Sequence, residues 1–127
     1  MTINFTPQEA ENLFHDSMCN VFGMNHHEGY GLELKYKKKD YESAKKKLTD
    51  PCWEDVLLQI LKDGGKLTLV DLECGGEYTK SITLEDVYQR IGKTPFKHLT
   101  DAINENGDVW TSDVIIQTVF YEDVIFG

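Results

Sequence analysis

The chain is 127 residues long, 40% hydrophobic and 28% charged, with a formal net charge of −9 at pH 7. That length suits one domain over 1–127 around one hydrophobic core, and the composition sets aside disordered and fibrous classes. No apolar run approaches a bilayer crossing, the start Met1-Thr2-Ile3-Asn4-Phe5-Thr6-Pro7 lacks the basic-then-apolar layout of an export signal, and the widely spaced Cys19, Cys52 and Cys74 read as reduced thiols, so a soluble cytoplasmic protein is expected.

Thr6-Pro7-Gln8-Glu9 has the layout of a helix start, with Thr6 as N-cap, Pro7 at the first helical position and Glu9 closing a capping box. Ala10, Leu13, Phe14, Met18, Val21 and Phe22 recur at helical spacing, which predicts a helix from Pro7 to Val21. Beyond the polar connection Met24 to Gly29, Tyr30, Leu32, Leu34 and Tyr36 alternate with Gly31, Glu33 and Lys35 as in a half-buried strand. Asp40 is read as the cap of a short helix that turns Tyr41, Ala44 and Leu48 inward and Lys45-Lys46-Lys47 to water.

Asp50-Pro51 repeats the cap-plus-proline start, and Trp53, Val56, Leu57, Ile60 and Leu61 form a stripe closed by Gly64-Gly65. Lys66 to Glu73, with leucines at 67, 69 and 72, predicts a central strand covered on both faces. Gly75-Gly76 predicts a tight hairpin to a second strand over Glu77 to Ile82. Thr83-Leu84-Glu85-Asp86 opens a short helix ending near Gly92, and Thr94-Pro95 opens another with Phe96, Leu99, Ala102 and Ile103 on one face until Asn106-Gly107.

The tail is read as a helix over 112–121 and a short strand from Val124 to Phe126, against the strand preference of the β-branched and aromatic run Val114 to Tyr121. The expected fold is therefore α+β: a single domain of several short amphipathic helices packed on a small, mainly antiparallel sheet with a hairpin at about 66–82.

Candidate chemistry is sparse. His15, Cys19, His26 and His27 put most of the histidines and a thiol within one short stretch, and His15 and Cys19 share a helix face, so these four are the candidate zinc ligands. No Cys-x-x-Cys or His-Glu-x-x-His spacing accompanies them, and a partly buried thiol beside surface histidines is the plainer reading; no cofactor is expected. Asp71 and Glu73, on alternate strand positions, with Glu77 across the turn and the fragment Glu33-Leu34-Lys35, offer the carboxylate grouping of a metal-dependent hydrolase or nuclease. Solvated strand-face charges account for them more simply. Cys52 lies in a first helical turn without an assignable histidine partner and reads as a small packing residue beside Trp53.

Charge is the more informative property. Residues 1–47 hold seven acids against seven lysines, whereas residues 48–127 hold fifteen acids against six bases, so the later part carries the entire negative surplus. Such a field repels nucleic acid and raises encounter rates with basic proteins. The lysines from Lys35 to Lys47 read as a solvated helix face rather than a phosphate-binding patch.

Small acidic proteins of this type often occupy a partner's basic surface, as phage-encoded inhibitors of host defence and toxin-neutralising immunity proteins do. The expectation is a non-enzymatic inhibitor or immunity-type protein whose partner has a basic surface, a nucleic-acid-binding protein or a toxin for example, with no direct contact to nucleic acid or membrane. Asp101, Glu105, Asp108, Asp113, Glu122 and Asp123 are its expected contact residues. The alternatives are a metal-dependent hydrolase and a housekeeping subunit that self-associates through its apolar tail, Val119 to Phe126.

Overall fold

The computed structural model describes residues 3–104 and 108–127. Among them, six helices and three strands follow in the order α1 (Pro7–Val21), β1 (Leu32–Lys35), α2 (Lys38–Lys46), α3 (Trp53–Lys62), β2 (Leu67–Asp71), β3 (Lys80–Ile82), α4 (Leu84–Arg90), α5 (Phe96–Ile103) and α6 (Val109–Tyr121). Short 3₁₀ turns occupy His26–Tyr30 and Ile91–Lys93. The sheet is antiparallel in the order β1-β2-β3, so the expected α+β architecture with a central second strand is what the chain adopts.

Local chemistry explains where the elements begin. At α1 the Thr6 hydroxyl accepts the Glu9 N–H at 3.2 Å while the Glu9 carboxylate accepts the Thr6 N–H at 2.9 Å, the reciprocal box expected from the sequence. Asp86 likewise accepts the Thr83 N–H at 2.9 Å before α4. Three other expected caps move. Asp50 sits in the left-handed region at φ 48°, and α3 starts two residues later at the N-cap Cys52, whose N–H is accepted by Asp55 at 3.0 Å. Thr94 turns back to donate its hydroxyl to the Ile91 carbonyl at 2.8 Å, which leaves Pro95 as the residue before α5. Asp40 lies inside the first turn of α2, behind the N-cap Lys37.

Three further expectations are corrected. The hairpin is not a two-residue turn: pairing stops at Leu69 opposite Lys80, because the Asp71 carboxylate gathers backbone N–H groups of the following residues into a wide loop over 72–79. Leu67, Leu69 and Asp71 of β2 are buried, but Thr68 and Val70 line an open groove of about 650 Å³, so only one sheet face is fully covered. On α5, Leu99 is buried while Phe96 and Ile103 are 56% and 54% exposed. At 100° per residue they lie about 70–90° round the helix from the Leu99–Ala102 line that meets α6. The Asn106-Gly107 stop lies outside the described residues.

The last helix organises the core. It starts at Val109, three residues before the expected position, because Asp108 accepts the Thr111 N–H at 3.0 Å as N-cap. It packs most extensively on α1 and also meets α4, α5 and β3, so it is buried nearly all round. Apolar Ile115, Ile116, Val119 and Phe120 are buried there together with Ser112, Asp113, Gln117 and Thr118.

Buried polar groups need partners, and these find them. Asp113 accepts the Tyr30 hydroxyl at 2.7 Å and the Gln117 amide at 3.1 Å. Gln117 in turn accepts the N–H groups of Ile125 and Phe126 at 2.8 and 2.9 Å, which ties the tail down as an irregular segment rather than the expected strand. Arg90 closes the C-terminal end of α6 by donating to the Val119 carbonyl at 3.0 Å. Elsewhere, Tyr88 donates to the buried Glu11 at 2.6 Å, and burial followed by that bond pushes the phenol up to about 12.

Replacing Gln117 with Leu is expected to cost about 1–2 kcal/mol in urea unfolding. Hydrogen exchange over residues 122–127 should accelerate if the amide holds the tail. His27 offers a second test: it is buried against Phe22 at 5.1 Å, its Nδ1 has no partner among the described residues, and burial lowers its pKa. A base whose native pKa is depressed binds fewer protons folded than unfolded, so stability should fall as pH drops below the ordinary histidine value of about 6.5. Urea titrations between pH 7.5 and 5 should show that slope, and His27→Phe should flatten it while raising stability at pH 7 by about 1 kcal/mol.

Candidate functional site

At the end of the sheet where β2 runs into the 72–79 loop, the buried Asp71 acts as a scaffold. Its carboxylate accepts the N–H groups of Cys74 at 2.9 Å, Glu73 at 3.0 Å and Tyr78 at 3.1 Å, and those bonds, the Cys74 amide first, hold its pKa below the usual aspartate range. The Asp71 N–H donates to the Thr79 hydroxyl at 3.0 Å. Gly75 and Gly76 supply the left-handed turns at φ 64° and 82° that carry the chain round this carboxylate.

The loop is braced from outside as well. Tyr121 donates its hydroxyl to the Tyr78 carbonyl at 2.9 Å, and the Phe126 ring packs on Tyr78 and stacks on Tyr30. Loop and tail therefore form one surface, on which Leu72 (62% exposed), Val124 and Ile125 stand out beside exposed Glu73, Glu77 and Asp123. Glu73 lies against Gly31, where any side chain would collide with it.

The six acids expected to contact a partner do not form one face. Asp113 is 5% exposed and spent on Tyr30 and Gln117; Asp108 caps α6, and Asp101 is half-buried on α5. Glu122 and Asp123 lie at the opposite end of α6, roughly 18 Å of helix away. Glu122 is paired with Arg90 at 2.9 Å and Lys93 at 3.9 Å, which leaves Asp123 as the member of the set exposed without a cationic partner there. Glu105 lies outside the described residues. The apolar tail is mostly spent too, since Val119 and Phe120 are core residues and Phe126 is half-buried.

The four candidate zinc ligands separate. His26 lies 3.4 Å from Asp113 with its ring against the exposed Trp110, and His27 is buried in the core, so neither reaches the helix face of His15 and Cys19. That face meets α3 instead. His15 Nε2 lies 2.8 Å from Asp55, its Nδ1 is 3.8 Å from Cys19 Sγ, and His15, Cys52 and Asp55 bring ligand atoms within 4.8 Å of one another. Burial, then the charges of Glu54, Cys52, Asp16 and Asp55, push the Cys19 thiol up to about 11, so it is a poor nucleophile at neutral pH. Cys52 is an exposed helix cap and not a packing residue. Nothing local in the sequence joins His15 to Asp55; the hint was Asp55 three residues after Cys52, the spacing of a capping box.

The remaining charged groups are ordinary surface features. Lys35 pairs with Glu33 at 4.0 Å, Lys38 with Glu42 at 3.9 Å and Lys47 with Asp63 at 3.0 Å, while Asp71 and Glu73 do not act as a matched pair because the first is buried in the loop and the second exposed. Comparison with protein-family models, curated proteins and solved structures gives no match to this chain. Among the described residues, no helix is long and apolar enough to cross a membrane.

Asp71→Asn keeps the side-chain shape but removes the charge that the three amides point to. Exchange of the Glu73, Cys74 and Tyr78 amides should accelerate by at least about tenfold, with core amides unchanged. In the parent protein the lowered native pKa means this bracing is fully present above about pH 4 and is lost as pH falls through the native value. Exchange that is equally slow in the variant would show that Gly75-Gly76 geometry, not the carboxylate, sets the loop.

Proposed function

We propose that the protein is a cytoplasmic, non-enzymatic binding protein that occupies a basic surface of a protein partner with the 72–79 loop and the tail, as small inhibitors and immunity-type proteins do. The observation that carries this reading is the bracing of the loop by Asp71: three backbone amides, two glycines and the Tyr121 hydroxyl fix a segment that displays Glu73, Glu77 and Leu72 to solvent.

A surface fixed before encounter loses less conformational freedom on binding, so more of each contact appears as affinity. Exposed apolar side chains and acids on the same two segments combine two terms. Burial of Leu72, Val124 and Ile125 against an apolar patch supplies dispersion and desolvation, while Glu73, Glu77 and Asp123 steer a cationic partner and discriminate against acidic ones. The chain's net charge of −9 extends that steering beyond contact range at low ionic strength.

The test is affinity capture from a lysate of the source cell, comparing the parent chain with the triple variant Glu73→Lys, Glu77→Lys, Asp123→Lys. A basic protein retained by the parent, released by salt and lost by at least about 100-fold in the variant is the expected result. Leu72→Ser should weaken the same complex without altering its salt dependence. Undiminished capture by the triple variant would move the interface elsewhere on the molecule.

A further inference from the structure

Where α1 crosses the start of α3, two helices far apart in sequence bring a histidine, a thiol and a carboxylate together. We propose that His15, Cys52 and Asp55 form a binding site for a borderline divalent transition-metal ion of the zinc class. The site is separate from the acidic loop and tail.

The donor set is the first argument. Imidazole nitrogen, thiolate sulfur and carboxylate oxygen are the three ligand types that zinc accepts, and three protein ligands with a fourth position for solvent is a common coordination pattern. Geometry is the second. Tetrahedral bonds of about 2.0–2.3 Å place ligand nitrogen and oxygen about 3.4 Å apart and nitrogen and sulfur about 3.5 Å apart. His15 Nε2 and Asp55 Oδ1 already stand 2.8 Å apart, and all three donors lie within 4.8 Å of one another, so each separation is within roughly 1.3 Å of its tetrahedral value.

The arrangement is also held in place. Asp55 spends its second oxygen on the Cys52 N–H at 3.0 Å, which fixes both ligands to the first turn of α3. His15 Nδ1 lies 3.7 Å from an Asp16 carboxylate oxygen, too far for a hydrogen bond, so the 2.8 Å contact from Nε2 to Asp55 is what orients the ring. Cys19, by contrast, meets the Nδ1 side of the ring at 3.8 Å and is outside the ligand set. On binding, sulfur–metal, nitrogen–metal and oxygen–metal bonds form, the hydrogen bond from His15 Nε2 to Asp55 is given up as the Nε2 proton passes through solvent to Nδ1, and the Cys52 proton passes to solvent.

Cobalt(II) and zinc(II) titrations of the full chain, kept reduced with a phosphine, test the proposal. One equivalent of cobalt should give a thiolate-to-cobalt band in the near ultraviolet that zinc abolishes by displacement. Cys52→Ser keeps a good N-cap and should lose the band, with circular dichroism unchanged. His15→Ala should weaken binding at least about tenfold, whereas Cys19→Ser and Cys74→Ser should retain the parent spectrum and affinity. A band that survives in Cys52→Ser, a band lost in Cys19→Ser, or no saturable cobalt binding at 100 μM would each overturn the assignment. None of these outcomes bears on capture of a basic partner by the loop and tail.

Discussion

Asp113 and Gln117 impose the constraint on which the rest of this structure depends. A helix with α1, α4, α5 and the sheet packed round it has almost no side open to water, yet α6 carries a carboxylate and an amide one turn apart in its buried length. An unpaired buried carboxylate would cost several kcal/mol, so the fold has to bring partners to it. Tyr30 comes from the 3₁₀ turn after α1, and the tail folds back so that its amides meet Gln117. Two segments that lack regular structure of their own are thereby fixed by hydrogen bonds to one helix. The ring of Phe126 then completes the contact between the tail and the 72–79 loop.

This internal use of acids changes the meaning of the charge imbalance. Asp55, Asp71, Asp86 and Asp108 each accept backbone N–H groups, while Glu11 and Asp113 accept tyrosine hydroxyls. Much of the negative surplus of residues 48–127 is therefore structural. It caps helices and shapes a loop, in places where an anion meets exposed amides and the positive end of a helix. What remains for a partner to meet is smaller and more localised than composition implies. Part of it lies where the loop and tail expose Glu73, Glu77 and Asp123, and Asp50 and Glu85 are exposed elsewhere.

Elements with strong local signals were legible in the sequence. The Thr6–Glu9 and Thr83–Asp86 boxes announced α1 and α4 because both partners lie within four residues of each other. The site was far less legible, for a related reason. His15 and Asp55 are forty positions apart in sequence, and only the packing of α1 on α3 brings them within 2.8 Å. The tight hairpin failed because Gly-Gly read as a two-residue turn, whereas the residue that decides the loop is Asp71, whose buried carboxylate outcompetes ladder pairing for the next amides. Phe96 and Ile103 failed on geometry, since a one-turn stripe does not say how wide the covering surface is.

The two surfaces singled out here share one physical device. At Asp71 and at Asp55, a short acidic side chain is locked by backbone N–H groups of residues close to it in sequence, and the lock leaves neighbouring groups turned outward in a fixed arrangement. At Asp71 the neighbours are Leu72, Glu73 and Glu77, a pattern suited to meeting a protein surface. At Asp55 the neighbour is Cys52, facing His15 across a helix pair, a pattern suited to an ion. At Asp71 the outward geometry is set largely by local hydrogen bonds, whereas at Asp55 the local bond fixes Cys52 and the packing of α1 on α3 brings His15 to it. Substitutions between α1 and α3 should therefore disturb the second surface and spare the first, while a change at one aspartate should alter its own surface and leave the other intact.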